Sequence, residues 1–195
     1  MMLRSDLTSR PALPTMTQST PTIRPDMTMG EIQENFPSAR RALFQRYHVG
    51  GCSSCGYELT DTLAKVCQSH NLLDVDGVVQ HLLRSHEVDQ KMQVEPSEVQ
   101  AWLAEKAPMH FIDLRHPGES SSDPVPGAEP LDFANQAKYM QLPKDTRIVF
   151  LCAHGLSSLD AAAYFAGHGF SQVYSVRGGV EGWRMSAESK PAGGR

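Results

Sequence analysis

Four apolar residues in a row, Ile148, Val149, Phe150 and Leu151, run directly into Cys152 and a short loop, Cys-Ala-His-Gly-Leu-Ser-Ser (Cys152 to Ser158). An uninterrupted apolar run of this length is a strand covered on both faces, which in practice means a parallel sheet sandwiched by helices. Beyond the loop, Leu159, Ala162, Ala163 and Ala166 recur at helical spacing, and Gly167 or Gly169 can end that helix. Strand, tight loop and helix in this order commit the region to an α/β fold. They also set a thiol at the carboxyl end of a buried strand, beside a helix N-terminus. Unpaired N–H groups and the positive end of the helix dipole meet there and favour an anion, so the thiolate of Cys152 is the expected nucleophile.

The 195 residues are enough for one domain of ordinary size and a smaller companion. A net charge of −4, without a basic cluster, argues against nucleic acid as a partner. No apolar stretch approaches the length of a bilayer span, so no membrane partner is expected. Four cysteines, Cys52, Cys55, Cys67 and Cys152, are too few and too unevenly spread for a disulfide-built secreted fold. A reducing, cytoplasmic location fits them better. Residues 1–25 are rich in Ser, Thr and Pro and read as a disordered tail. Arg4, Arg10 and Arg24 against Asp6 leave a transit peptide as the alternative. Residues 186–195 read as a second disordered tail.

Between the tails the rhythm changes once. Residues 26–85 carry short helical periodicities. Thr28 with Glu31 forms a capping-box pattern, Pro37 opens a second helix through Tyr47, Thr60 starts a third, and Asp74 or Asp76 a fourth. Between the second and third lies Val49-Gly50-Gly51-Cys52-Ser53-Ser54-Cys55-Gly56, a glycine turn around two cysteines. Residues 86–91 are polar and read as a linker. Residues 92–185 then alternate strand and helix: a strand at 92–94, a helix from Pro96, and a strand at Phe111 to Leu114. A Pro/Gly/Ser-rich loop over 117–127, a short strand at 128–131 and a helix around 133–140 follow. The nucleophile strand with its helix, a strand at 172–176 and a Gly-Gly turn into Trp183 complete the pattern. The expected architecture is α/β, a parallel sheet with helices on both faces, preceded by a small all-α domain.

Four landmarks of the second half stand in one order: Phe-Ile-Asp-Leu-Arg (Phe111 to Arg115), Val-Pro-Gly-Ala (Val125 to Ala128), the cysteine loop, and Val-Arg-Gly-Gly-Val-Glu-Gly-Trp (Val176 to Trp183). Together they resemble a single-domain rhodanese. The resemblance implies a thiosulfate sulfurtransferase-type transferase, moving a sulfane sulfur from a small donor, through a Cys152 persulfide, to cyanide or a thiol acceptor. Independently, a loop curling over the thiol makes a concave anion site from its N–H groups, with Ala153, His154, Gly155, Leu156, Ser157 and Ser158 as the substrate-binding loop. Gly155 supplies a positive φ for the curl, and Ser157 and Ser158 supply hydroxyls and cap the next helix. No cofactor and no metal is called for.

Two departures from the family pattern bear on substrate. Many rhodaneses carry a cation beside the cysteine and an arginine five residues after it, whereas Ala153 and Ser157 stand here. His154 is the one residue of the loop that can become a cation, and an unperturbed imidazole is mostly neutral at pH 7. Weak thiosulfate binding is therefore expected. Cysteine phosphatases of related loop design clamp their oxyanion with an arginine six residues after the nucleophile, and Ser158 argues against that chemistry. A non-catalytic rhodanese-fold binding or regulatory module is the alternative function. Asp113 and Arg115 end a strand on the ligand side of the sheet and either brace the loop or form a structural ion pair.

Asp-Met-Thr-Met-Gly-Glu-Ile (Asp26 to Ile32), the Pro-led second helix and Cys52-x-x-Cys55 resemble the small helical domain associated with hybrid-cluster proteins (DUF1858-like). They are distantly similar to the N-terminal domain of iron–sulfur repair proteins. The cysteine pair has three readings: a redox dithiol, which is favoured, two ligands of a metal or cluster site completed by His48, His70 or another chain, or an inert turn. Expected partners are the small sulfur donor, the thiol or cyanide acceptor, and a thiol reductant or iron–sulfur-related protein. Cys67, on an apolar helical face, reads as core filling.

Overall fold

The computed structural model describes residues 22–50, 56–132, 134 and 137–188. Cys52 and Cys55, and with them the expected dithiol turn, lie outside the described residues.

Among the described residues the first unit is four helices, α1 Met29–Asn35, α2 Ala39–Tyr47, α3 Leu63–Ser69 and α4 Val75–Met92. Thr28 caps α1 through a complete capping box with Glu31, Thr62 caps α3, and the Asp74 carboxylate accepts from the Gly77 amide to start α4. The third helix therefore begins two residues later than Thr60 implies. Pro37 sits in the turn ahead of α2, which starts at Ala39. Met29, Ile32, Phe36, Leu43, Leu63, Val66 and Leu82 close one core, each large side chain contributing about 1.5–3 kcal/mol on burial. Ile23 is buried in that core and the Ala64 amide donates to the Pro25 carbonyl, so the chain is anchored to the helical unit from Ile23 onward rather than from residue 26.

The stretch read as a linker, 86–91, is the last part of α4, which continues unbroken into β1 Gln93–Val94. Polarity there marks a solvated helix face. Asp89 and Met92 point inward, Met92 into the core of the sheet. The Arg41 guanidinium on α2 bridges Asp89, at 2.5 Å, and Asp160 on the far side of the junction.

The second unit follows with α5 Pro96–Ala104, β2 His110–Asp113, α6 Pro117–Ser122, β3 Glu129–Pro130 and α7 Ala137–Met140. Among the described residues, β4 Ile148–Leu151, α8 Leu156–Gly167, β5 Val173–Val176 and α9 Gly179–Glu188 follow. All five strands are parallel, in the order β1-β5-β4-β2-β3. Every residue of β4 is buried. Ile148 and Phe150 face the core under α8, while Val149 and Leu151 face the one under α5 and α9. That alternation is why the run has no polar side.

Two expectations are corrected. The Pro/Gly/Ser-rich stretch opens with α6, because Pro117 suits a first helical turn and His116 with Glu119 caps it. Ser186, Ala187 and Glu188 belong to the last turn of α9 rather than to a tail. Part of the stretch expected as a helix around 133–140 lies outside the described residues, and α7 starts at Ala137.

Candidate functional site

Cys152 follows the innermost strand at the carboxyl edge of the sheet and is 7% exposed. Its sulfur is held by donors from its own loop. The Gly155 amide points at Sγ from 3.1 Å, the Ser158 amide from 3.4 Å, and Ser158 Oγ lies 3.2 Å away. These groups are preorganised for negative charge on the sulfur.

The curl depends on Gly155, whose φ of 87° closes the position to residues other than glycine. A β-carbon there would also meet the Gly178 amide nitrogen at 3.0 Å. Gly155 occupies the N-cap position of α8, and no side chain caps that helix. Ser157 and Ser158 lie inside the first turn instead. Ser158 is fully buried and turned to the sulfur, while Ser157 is exposed. The expectation that the two serines cap α8 fails because Ser158 spends its hydroxyl on Cys152 and Ser175.

Two features of the site come from distant segments that sequence reasoning did not assign to it. Gly178 and Gly179 both have positive φ, and the turn they make lies against the loop's backbone. The Val180 amide donates to the Cys152 carbonyl at 2.9 Å, and the Glu181 amide to the Ala153 carbonyl at 3.4 Å. The Cys152 and Ala153 carbonyls are thereby turned toward α9, while the Gly155 and Ser158 amides point at the sulfur. The glycine doublet at the end of β5 was the available signal. The second feature is Ser175, fully buried on β5 and 2.8 Å from Ser158 Oγ. A lone serine in an apolar strand was its only trace in the sequence.

The rim is charged but internally paired. His154 Nδ1 is 3.1 Å from Glu181 Oε1, both side chains about two-thirds exposed. Arg115, 7% exposed, makes a fork onto Asp113, with Nη2 to Oδ2 at 2.7 Å, and also reaches Asp123. Its bond to Asp113 outweighs burial and holds the guanidinium above its already high range. Asp123 is shared with Arg184 of α9. Asp113 and Arg115 thus brace one another and the α6 region, and their side chains are turned to each other and to Asp123 rather than to Cys152. A recess of about 250 Å³ beside the loop is lined by Arg115, Asp123, Ala153, His154, Glu181 and Arg184. Leu156 is exposed on the loop's outer side.

The remaining singled-out cysteine, Cys67 of α3, is fully buried, and burial pushes its thiol up. Among the described residues no group of His, Cys, Asp and Glu is arranged to hold a metal ion. No described helix is long and apolar enough to cross a membrane.

Residues 95–186 match the family model for the rhodanese-like domain. The thiosulfate sulfurtransferase GlpE of Pseudomonas putida (strain F1) is 37% identical over 100 residues, which is 51% of this chain and 91% of that protein. GlpE of Pseudoalteromonas translucida is 36% identical over 89 residues, 45% of this chain and 85% of that protein. Among solved structures, the human single-domain sulfurtransferase TSTD1 covers 51% of this chain and 98% of its own, at 18% identity and a TM-score of 0.41.

Proposed function

The chain belongs to the rhodanese-like family, and from that membership we propose that it is a sulfurtransferase that carries a sulfane sulfur on Cys152. The observation that carries this reading is the convergence of two amides and one hydroxyl on a single cysteine sulfur at 3.1–3.4 Å.

With thiosulfate as donor, the Cys152 thiolate attacks the outer sulfur. The S–S bond of thiosulfate breaks and sulfite leaves with its electron pair. The protein is left as Cys152–S–S⁻, whose terminal charge rests among the loop's N–H groups. A nucleophilic acceptor then takes the terminal sulfur: cyanide gives thiocyanate, a thiolate gives a new persulfide, and the Cys152 thiolate returns. The α9 turn supports this chemistry by holding the loop's shape, while the Asp113–Arg115 pair fixes the α6 region beside it.

The Cys52/Cys55 pair supplies a reductant in the same reading. One of its thiols takes the sulfur from Cys152 and the other attacks to close a disulfide. The products are hydrosulfide, one proton and the Cys152 thiolate, and an external thiol reductant resets the pair.

Intact mass after thiosulfate treatment tests the core of this proposal. A gain of one sulfur atom that is absent in Cys152→Ser and retained in Cys52→Ser/Cys55→Ser supports it. Loading that persists without Cys152 overturns it. Equal rates of sulfide release, without added thiol, in wild type and Cys52→Ser/Cys55→Ser would remove the reductant role alone.

A further inference from the structure

Two buried hydroxyls stand in line behind the sulfur. Ser158 Oγ is 3.2 Å from Cys152 Sγ, Ser175 Oγ is 2.8 Å from Ser158 Oγ, and Ser175 Oγ is 3.5 Å from the Gly155 carbonyl. Both serines are 0% exposed. Ser175 sits on β5, paired with β4 beside Phe150, where an aliphatic side chain would pack without any polar obligation. A hydroxyl in that place costs stability unless it is bonded, and here it is bonded along this line.

Each hydroxyl has one proton to give, which leaves two self-consistent arrangements. In the first, Ser175 donates to the Gly155 carbonyl and Ser158 donates to Ser175. Ser158 Oγ is then free to accept from a protonated thiol. In the second, Ser175 donates to Ser158 and Ser158 donates to Sγ, an arrangement that favours the thiolate as the stronger acceptor. Without Ser175, Ser158 has neither a fixed acceptor in the first state nor a donor behind it in the second. Bonds that polarise one another in a chain are stronger than the same bonds apart.

We infer that Ser175 is a positioning residue for sulfur transfer: its hydroxyl turns between Gly155 and Ser158 as Cys152 gains or loses its proton. It contacts neither donor nor acceptor. The inference rests on Cys152 being the sulfur carrier, but it concerns the thiolate and is measurable without any sulfur donor.

The experiment compares Ser175→Thr with Ser175→Val in the full chain, two side chains of one shape that differ only in the hydroxyl. The rate of Cys152 alkylation by iodoacetamide, located by peptide mass spectrometry, is followed from pH 5 to 10 beside kcat/KM for thiosulfate with cyanide. Ser175→Val is expected to alkylate about three- to tenfold more slowly than Ser175→Thr on the acid side. The gap should close at alkaline pH, where the thiolate forms without help. Ser175→Ala should follow Val, and thermal midpoints of Thr and Val should agree. Coincident Thr and Val profiles overturn the inference, as does a constant ratio at every pH, which is the mark of mere packing. If wild type loads no sulfur while Thr and Val still diverge, the transfer reading fails and the serine array stands.

Discussion

The Val180 amide donates to the carbonyl oxygen of Cys152 at 2.9 Å, so the first turn of α9 holds the backbone of the nucleophile itself. That contact is made across a chain separation that no local pattern spans. It requires Gly179, whose φ is 60° and where a β-carbon would overlap the Cys152 carbonyl oxygen.

Gly179→Ala should therefore damage both stability and loading. A left-handed backbone and a clash with the loop together cost about 1–3 kcal/mol or more. The clash is relieved by moving the loop, so sulfur uptake should fall more than about tenfold. Thermal unfolding and intact mass after thiosulfate treatment read the two effects. Uptake at the wild-type rate would show that the α9 turn does not shape the loop.

Glu181 pairs with the one loop histidine and adds negative charge at the rim. A dianionic donor is repelled by that carboxylate, so Glu181→Gln should raise kcat/KM for thiosulfate. The pair is largely exposed, which limits the gain to about two- to threefold in dilute buffer, and added salt should erase it. An unchanged value at low ionic strength would mean that Glu181 has no say in donor choice.

Asp113 is 3% exposed beside the 7% exposed Arg115. Asp113→Ala strands a buried guanidinium, which Asp123 compensates only in part, and should cost about 3–5 kcal/mol. Urea unfolding measures this. A loss below about 1 kcal/mol would mean that Arg115 escapes to solvent when its partner is removed.

Burial pushes the Asp89 carboxyl up, against the opposing pull of Ser38 and Arg41, and its Oδ2 has no protein partner among the described residues. The folded state then binds the proton more tightly than the unfolded one. This contribution to stability is full below the ordinary aspartate range near about 4, and is lost as pH rises through the higher folded value. Wild type should accordingly lose stability relative to Asp89→Asn as pH rises above the ordinary aspartate range. Parallel stability curves for the two proteins would refute the assignment.

Much of the second unit is legible in the residues themselves. The apolar run at 148–151 is a strand buried on both faces, and the loop after it curls on Gly155 at positive φ. Helix starts were readable at Thr28 and Asp74, where a side chain caps its own neighbours. The polar stretch 86–91 misled, because a solvated helix face and a linker have one composition. Asp89 and Met92 reveal the difference only through what they pack against.

Taken alone, the amino-acid order determined the fold class, the candidate nucleophile and the loop around it, since each is encoded in residues a few positions apart. The partnership of Ser175 with Ser158, of Val180 with Cys152 and of Glu181 with His154 was decided by the tertiary structure. Parallel strands bring residues together through register and crossover, and neither periodicity nor propensity carries that information.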